Sequence, residues 1–326
     1  MRRREFITLL CGATAWPVAA RAQQGMPIVA WVHSGSPDSN ARHLAAFWES
    51  LNETGFIQGQ NLTVEYHWLN GKYDAVPSVI ADIVRRRVAV IAAPGSQPSA
   101  LAAKAQTTTI PIVFGVAEDP VKLGLVANLA RPGGNATGVN YFLSEVMAKR
   151  LELLHELVPK AVRFAVLVNP ANPSIAVATL REIPKAASAL GLQVQVLNAS
   201  TSSEIEEAFA TLARERAEAL FLAPDVLFVS RGVQVATLAA QLKIPVAYPA
   251  REVVDVGGLM SYGADVLGMF HQAGVYTGRI LKGANPADMP VTQSTKFEFV
   301  INLRTAKALG IEVPNSIQAL ATELIE

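Results

Sequence analysis

Small hydroxyls, amides and carboxylates recur in this chain at one kind of place, just after a short apolar run. In the first half they form His33-Ser34-Gly35-Ser36, Pro94-Gly95-Ser96-Gln97 and Val116-Ala117-Glu118-Asp119. In the second half they form Asn169-Pro170-Ala171-Asn172, Ala223-Pro224-Asp225 and Tyr248-Pro249-Ala250-Arg251-Glu252. Glycine and proline beside them let a ligand come close to the backbone. Ser34 and Ser96, next to helix N-terminal N–H groups, suit a carboxylate. Asp119 or Asp225 suits an ammonium, and a ring from Tyr141, Tyr248 or Tyr262 would cover the apolar part of such a zwitterion. For any single Ser or Asp at a strand-to-helix junction, capping is the commoner role, and only the set together points to a ligand. Tyr248 and Tyr262 serve equally well as filling between lobes, and Arg251 with Glu252 as a solvated pair.

Catalytic arrangements are not recognisable. Val32-His33-Ser34-Gly35-Ser36 does not fit G-x-S-x-G. Arg131-Pro132-Gly133-Gly134 precedes a strand with no Lys-Ser/Thr after it, so it reads as a turn, not a phosphate cradle. Five scattered histidines lack HxxxH or HExxH spacing, and one cysteine excludes a thiolate zinc cage or an internal disulfide framework. The expectation is no catalytic residue, no metal and no cofactor. Lys+Arg 28 against Asp+Glu 27, without a basic block beyond the first residues, leaves no electrostatic footprint for nucleic acid. A chain that is 51% hydrophobic and 17% charged is not disordered.

Stepwise alternation of short apolar strands with longer helical stretches positions these groups. Expected strands are Ile28–Val32, Leu62–His67, Val88–Ala92 and Ile112–Phe114, then Phe164–Val168, Gln193–Leu197, Ala219–Leu222 and Pro245–Ala247. Between them the three- and four-residue spacing of apolar positions predicts helices over Asn40–Thr54, Tyr73–Arg86, Pro98–Gln106 and Pro120–Leu129. Ser144–Leu157, Ile175–Leu190, Ser203–Arg214 and Val229–Leu242 follow in the second half. This is an α/β chain of two similar lobes, each a parallel sheet flanked by helices. Thr137–Asn140, Leu259–Tyr262 and Phe297–Asn302 are the three crossing segments. Helix Val266–Lys282 is expected to pack on the first lobe. Ligands in such sheets meet the carboxyl ends of the strands, where the polar groups above lie. The expected division is 26–138 with 265–290 as lobe 1, and 139–264 with 291–326 as lobe 2.

Residues 1–22 read as an export signal. Arg2-Arg3-Arg4 precedes an apolar stretch too short to span a bilayer, and Ala20-Arg21-Ala22 is a small-x-small cleavage site. Arg3-Arg4-Glu5-Phe6-Ile7 is similar to the twin-arginine pattern, with Arg2 where Ser or Thr is usual. Removing four arginines and one glutamate from 28 and 27 leaves 24 bases against 26 acids, so the mature chain is faintly acidic. Cys11 leaves with the signal. A cysteine-free chain suits the oxidising periplasm.

Longer strings carry a resemblance. Thr109-Ile110-Pro111-Ile112-Val113-Phe114, Asp119-Pro120-Val121, Gly124-Leu125-Val126 and Leu129-Ala130-Arg131-Pro132-Gly133-Gly134-Asn135-Ala136-Thr137-Gly138 resemble a bacterial family of ABC-transporter substrate-binding proteins. So do Lys149-Arg150-Leu151-Glu152-Leu153-Leu154, Gly257-Gly258-Leu259-Met260-Ser261-Tyr262-Gly263, Ile280-Leu281-Lys282-Gly283-Ala284 and Thr295-Lys296-Phe297-Glu298-Phe299-Val300-Ile301-Asn302-Leu303. The resemblance implies a type I periplasmic-binding fold, ligand capture between lobes, and delivery to a membrane permease and its ATPase by a monomeric receptor. Some relatives are associated with tryptophan or tyrosine. By position the family's cleft would include Ser34, Ser96, Gln97, Asp119, Asn169, Asp225, Tyr262 and Asp265; Tyr141 and Arg251 join them from the strand-end reading. Two alternatives of other classes are a ligand-sensing module for a membrane receptor and, with less support, an exported α/β enzyme using the same cleft.

Overall fold

In the computed structural model, residues 25–141 and 143–326 are described; the expected export signal lies outside them. The first half runs β1 (Ile28–His33), α1 (Ala41–Glu53), β2 (Thr63–Trp68), α2 (Val76–Arg85), β3 (Val90–Pro94), α3 (Gln97–Gln106), β4 (Ile112–Val116) and β5 (Ala136–Asn140). The second runs α4 (Leu143–Leu157), β6 (Arg163–Val168), α5 (Pro173–Ala189), β7 (Gln193–Asn198), α6 (Ser202–Glu215), β8 (Ala219–Leu222), α7 (Val226–Ser230), α8 (Gly232–Leu242), β9 (Val246–Tyr248), α9 (Arg251–Asp255) and β10 (Met260–Ala264). The remainder is α10 (Val266–Leu281), β11 (Thr292–Gln293), β12 (Phe297–Asn302), α11 (Leu303–Leu309), α12 (Asn315–Leu320) and β13 (Glu323–Ile325).

The strands form two sheets, of order β11-β5-β4-β3-β1-β2 and β13-β12-β10-β9-β8-β6-β7. The first is parallel throughout. In the second, β12 runs antiparallel to β10, and β13 follows β12. Central strands are apolar on both faces because helices cover both: β3 and β4 are buried at every position. Edge strand β7 has only exposed and half-buried residues instead. Separate apolar clusters cover the two faces of the first sheet, and a third fills the second lobe.

Helix α10 returns from the second sheet to pack on α1 of the first, as the sequence pattern predicts. Its glycines explain the closeness of that contact. A Cβ on Gly274 would collide with the Phe47 carbonyl, and one on Gly278 with the Thr54 hydroxyl.

Three local features differ from the sequence expectation. Pro120–Leu129 is a set of turns, not a helix: Gly124 takes φ +73°, and the Leu125 N–H closes back on the Pro120 carbonyl at 2.9 Å. The stretch 229–242 belongs to two helices, because the backbone at Arg231 (φ −100°, ψ 20°) leaves the helical region between α7 and α8. Finally, β5 stays in the first sheet through Asn140 and β11 adds Thr292 and Gln293 to it, so the first and third crossings follow Asn140 and Gln293, a few residues beyond 138 and 290.

Candidate functional site

Both sheets have a point where strand order reverses, and the two points face one cleft. In the first sheet it lies between β1 and β3. The residues after those strands, Ser34 and Ser96, are buried and share a hydrogen bond of 2.7 Å between their hydroxyls, with Ser96 also donating to Ser99 at 2.7 Å. In the second sheet the reversal lies between β6 and β8, where Asn169 donates to Asp225 at 2.8 Å. Asp225 is buried and fully engaged. Its Oδ1 also accepts from the Leu227 N–H at 2.9 Å, while Oδ2 accepts from Tyr73 at 3.0 Å and Asn172 at 2.8 Å. Four donors occupy a carboxylate's acceptor sites.

The Tyr73 hydroxyl comes from the first lobe, so this bond joins the lobes across the cleft. Burial first, and Asp225 second, hold the Tyr73 phenol well above its ordinary range, so it remains a donor at neutral pH. A second bridge is built on Gln97, whose amide nitrogen donates to Glu118 at 2.8 Å and to Ser174 of α5. Ser174 in turn donates to Glu118 at 2.8 Å. A third bridge sets His43 Nε2 3.4 Å from Glu252, beside Arg42 and Asp255 at 3.8 Å. Burial opposes ionisation of Glu252, but bonds from His43 and the backbone and the His43 and Arg42 charges outweigh it and hold its carboxyl below the usual range. Among the described residues, polar contacts therefore join the two lobes at three places.

Between these bridges is a cavity of about 210 Å³. Its walls are mostly apolar, with Val146, Ile175, Val226, Val229, Val266 and Met269 among them, and with Phe270 stacked on His43 at 4.8 Å between ring centroids. Tyr141 also lines it; burial, then the Glu118 charge, pushes its phenol up to about 12. Arg150 of α4 lines it too. This guanidinium is 1% exposed, donates Nη2–H to the Leu222 carbonyl at 2.9 Å and lies 4.3 Å from the centroid of the Phe221 ring.

Of the residues singled out from sequence, Ser34, Gln97, Tyr141, Asp225 and Arg251 line this cavity. Ser96 and Asn169 sit directly behind Ser34 and Asp225 and orient them. The other three have local roles. Asp119 is exposed and caps a turn through the Val121 N–H at 2.9 Å. Asp265 caps α10 through the Gly268 N–H at 2.7 Å. Tyr262 stacks on Phe297 at 6.0 Å, away from the cavity. Arg251 stands at the cavity's edge with its charge spent on Glu323, at 2.8 and 3.1 Å. At the carboxylate cradle expected of Ser34 and Ser96, the hydroxyl protons are already given, that of Ser34 to Ser96 and that of Ser96 to Ser99. The residues that sequence reasoning did not single out are Tyr73, His43, Arg150 and Ser174. Only Arg150 left a local signal: three residues from Met147 and four from Leu154, it falls on the apolar face of its helix.

A cleft between two α/β lobes, at the carboxyl ends of both sheets, is the arrangement of a two-lobed binding protein. Residues 29–325 match the family described as ABC transporter substrate binding protein, and the chain belongs to that family. A tyrosine-binding protein of Clostridioides difficile (strain R20291) is 32% identical over 268 residues, which are 82% of this chain and 76% of that protein. Among solved structures, an ABC domain from Streptococcus pneumoniae in complex with L-Trp is 24% identical, with a TM-score of 0.81 over 92% of this chain and 100% of that one. A ligand-free, open substrate binding protein with adhesive properties from Clostridium difficile is 26% identical, with a TM-score of 0.64 over 92% of this chain and 99% of that one. The fold is that of type I periplasmic binding proteins.

Proposed function

We propose that this protein is the periplasmic receptor of an ABC importer and that it captures an amino acid with an aromatic side chain by closing its two lobes around it. The observation that carries the reading is the cleft itself: an apolar cavity at both sheets' reversal points, bridged by Tyr73–Asp225, Gln97–Ser174 and His43–Glu252. An aromatic side chain suits the apolar walls, and the relatives that bind tyrosine and L-Trp support the choice. Lobe 1 consists of the first sheet with α10, lobe 2 of the rest. The hinges are the three crossings after Asn140, Ala264 and Gln293. Export through the twin-arginine route, cleavage after Ala22, action as a monomer and delivery to a permease and its ATPase complete the reading. Capture requires no catalysis: ligand must bind the closed form more tightly than the open one.

Thermal melting of the chain from Gln23 to Glu326 tests it. L-tyrosine or L-tryptophan at a hundred times its Kd adds about 2.7 kcal/mol to stability and raises Tm. Sugars and nucleosides should leave Tm unchanged. A shift with those neutral solutes and none with any amino acid would contradict the ligand class.

A further inference from the structure

The cleft has a polar deficit. Of the seven buried side-chain atoms without a hydrogen-bond partner among the described residues, four belong to residues lining this one cavity: Gln97 Oε1, Asn172 Oδ1, Arg150 Nε and Arg251 Nε. That concentration marks the cavity as the place where partners are missing, since buried polar groups are ordinarily satisfied. Two are acceptors and two are donors, so the missing molecule carries both polarities.

The orientation of the acceptors is set by their neighbours. Asn172 turns its amide nitrogen to the Asp225 carboxylate at 2.8 Å, and Gln97 turns its own to Glu118 at 2.8 Å. A carboxylate can only accept, so the nitrogens must point there and the carbonyl oxygens are left over. The donors are unequal. Arg251 already has Glu323 as its counter-charge, whereas Arg150 has only a carbonyl and an aromatic face, and no ion pair with an acid among the described residues. Burial pulls Arg150 down to about 9, and it is still charged at neutral pH. A buried charge without its counter-ion is costly, and a ligand carboxylate removes that cost.

We propose that Arg150 is the anchor for the carboxylate of the ligand, with Gln97 Oε1 and Asn172 Oδ1 accepting from its ammonium. This rests on the amino-acid reading above and adds to it a requirement for a free carboxylate, met from the second lobe and not by the serines of the first.

Calorimetric titration of the protein with L-tyrosine, L-tryptophan, their primary amides, tyramine and tryptamine tests the proposal. The acids should bind the wild type about a hundredfold more tightly than the amides or amines. In Arg150→Met that preference should collapse to within a few-fold, through weaker binding of the acids alone. Equal binding of acid and amide by the wild type overturns the anchor and leaves the amino-acid reading standing; so does a folded Arg150→Met that keeps the preference. No binding of either amino acid, with binding of a sugar or nucleoside, overturns the amino-acid reading itself. Should Arg150→Met fail to fold, Arg150→Gln takes its place in the same comparison, with the same collapse of preference expected and a retained preference overturning the anchor.

Discussion

His33 ends β1 in the cavity wall, 3% exposed, with its Nδ1 accepting the Gly35 N–H at 2.9 Å. A protonated ring would lose that acceptor and bury a charge. Burial first and His43 second accordingly hold His33 at about 3, against 6.5 for a free imidazole. The unfolded chain binds a proton between these values and the folded chain does not, so stability is lost as pH falls from 6.5 toward 3, by on the order of a few kcal/mol. Tm measured across that range should fall, and His33→Asn, which keeps an acceptor for Gly35, should flatten part of the slope. An unchanged slope would mean that other groups set the acid limit. At this scale the sequence was legible in part. Ser34, Gln97 and Asp225 follow from their place after apolar strands, because chain direction carries a strand-end residue into the cleft. Asp119 occupies a similar place and does not reach the cleft, since Pro120 and Gly124 turn the chain into a surface loop. Tyr73 meets Asp225 across 152 residues, a pairing that only the closed arrangement of lobes creates.

Packing of elements depends on pairs of faces that periodicity does not reveal. The helix expected at 266–282 is present as α10, and its return to the first lobe follows from the crossing order. What the spacing does not show is how near it comes to α1. Ser50 and Thr54 turn their hydroxyls to carbonyls of their own helix, Phe47 at 3.0 Å and Leu51 at 2.6 Å, and α10 sets glycines against that surface. Gly274→Ala should therefore force the helices apart and cost about 1–3 kcal/mol, read as a lower denaturant midpoint. A variant as stable as the wild type would mean that the contact adjusts freely. Strand types were legible because burial on both faces produces continuous apolar runs. The antiparallel β12 and the break at Arg231 were not, since neither direction in a sheet nor a one-residue kink alters the apolar pattern.

Across the whole molecule, the lobes meet through polar contacts at the edges of an apolar cavity. Hinge closure calls for such an arrangement: an interface that holds weakly alone and firmly when the cavity is filled. The bridge between His43 and Glu252 also gives closure a direction with pH. Because the Glu252 carboxyl lies below its usual range when the lobes are closed, its contribution is present above that range and is lost as acid protonates it.

The most direct test of capture by closure is small-angle X-ray scattering of the mature chain with and without saturating L-tyrosine or L-tryptophan. The ligand-free chain should have the larger radius of gyration, decreasing on binding to the value of the closed structure. An identical radius in both states, with binding verified in the same samples, would contradict capture by closure.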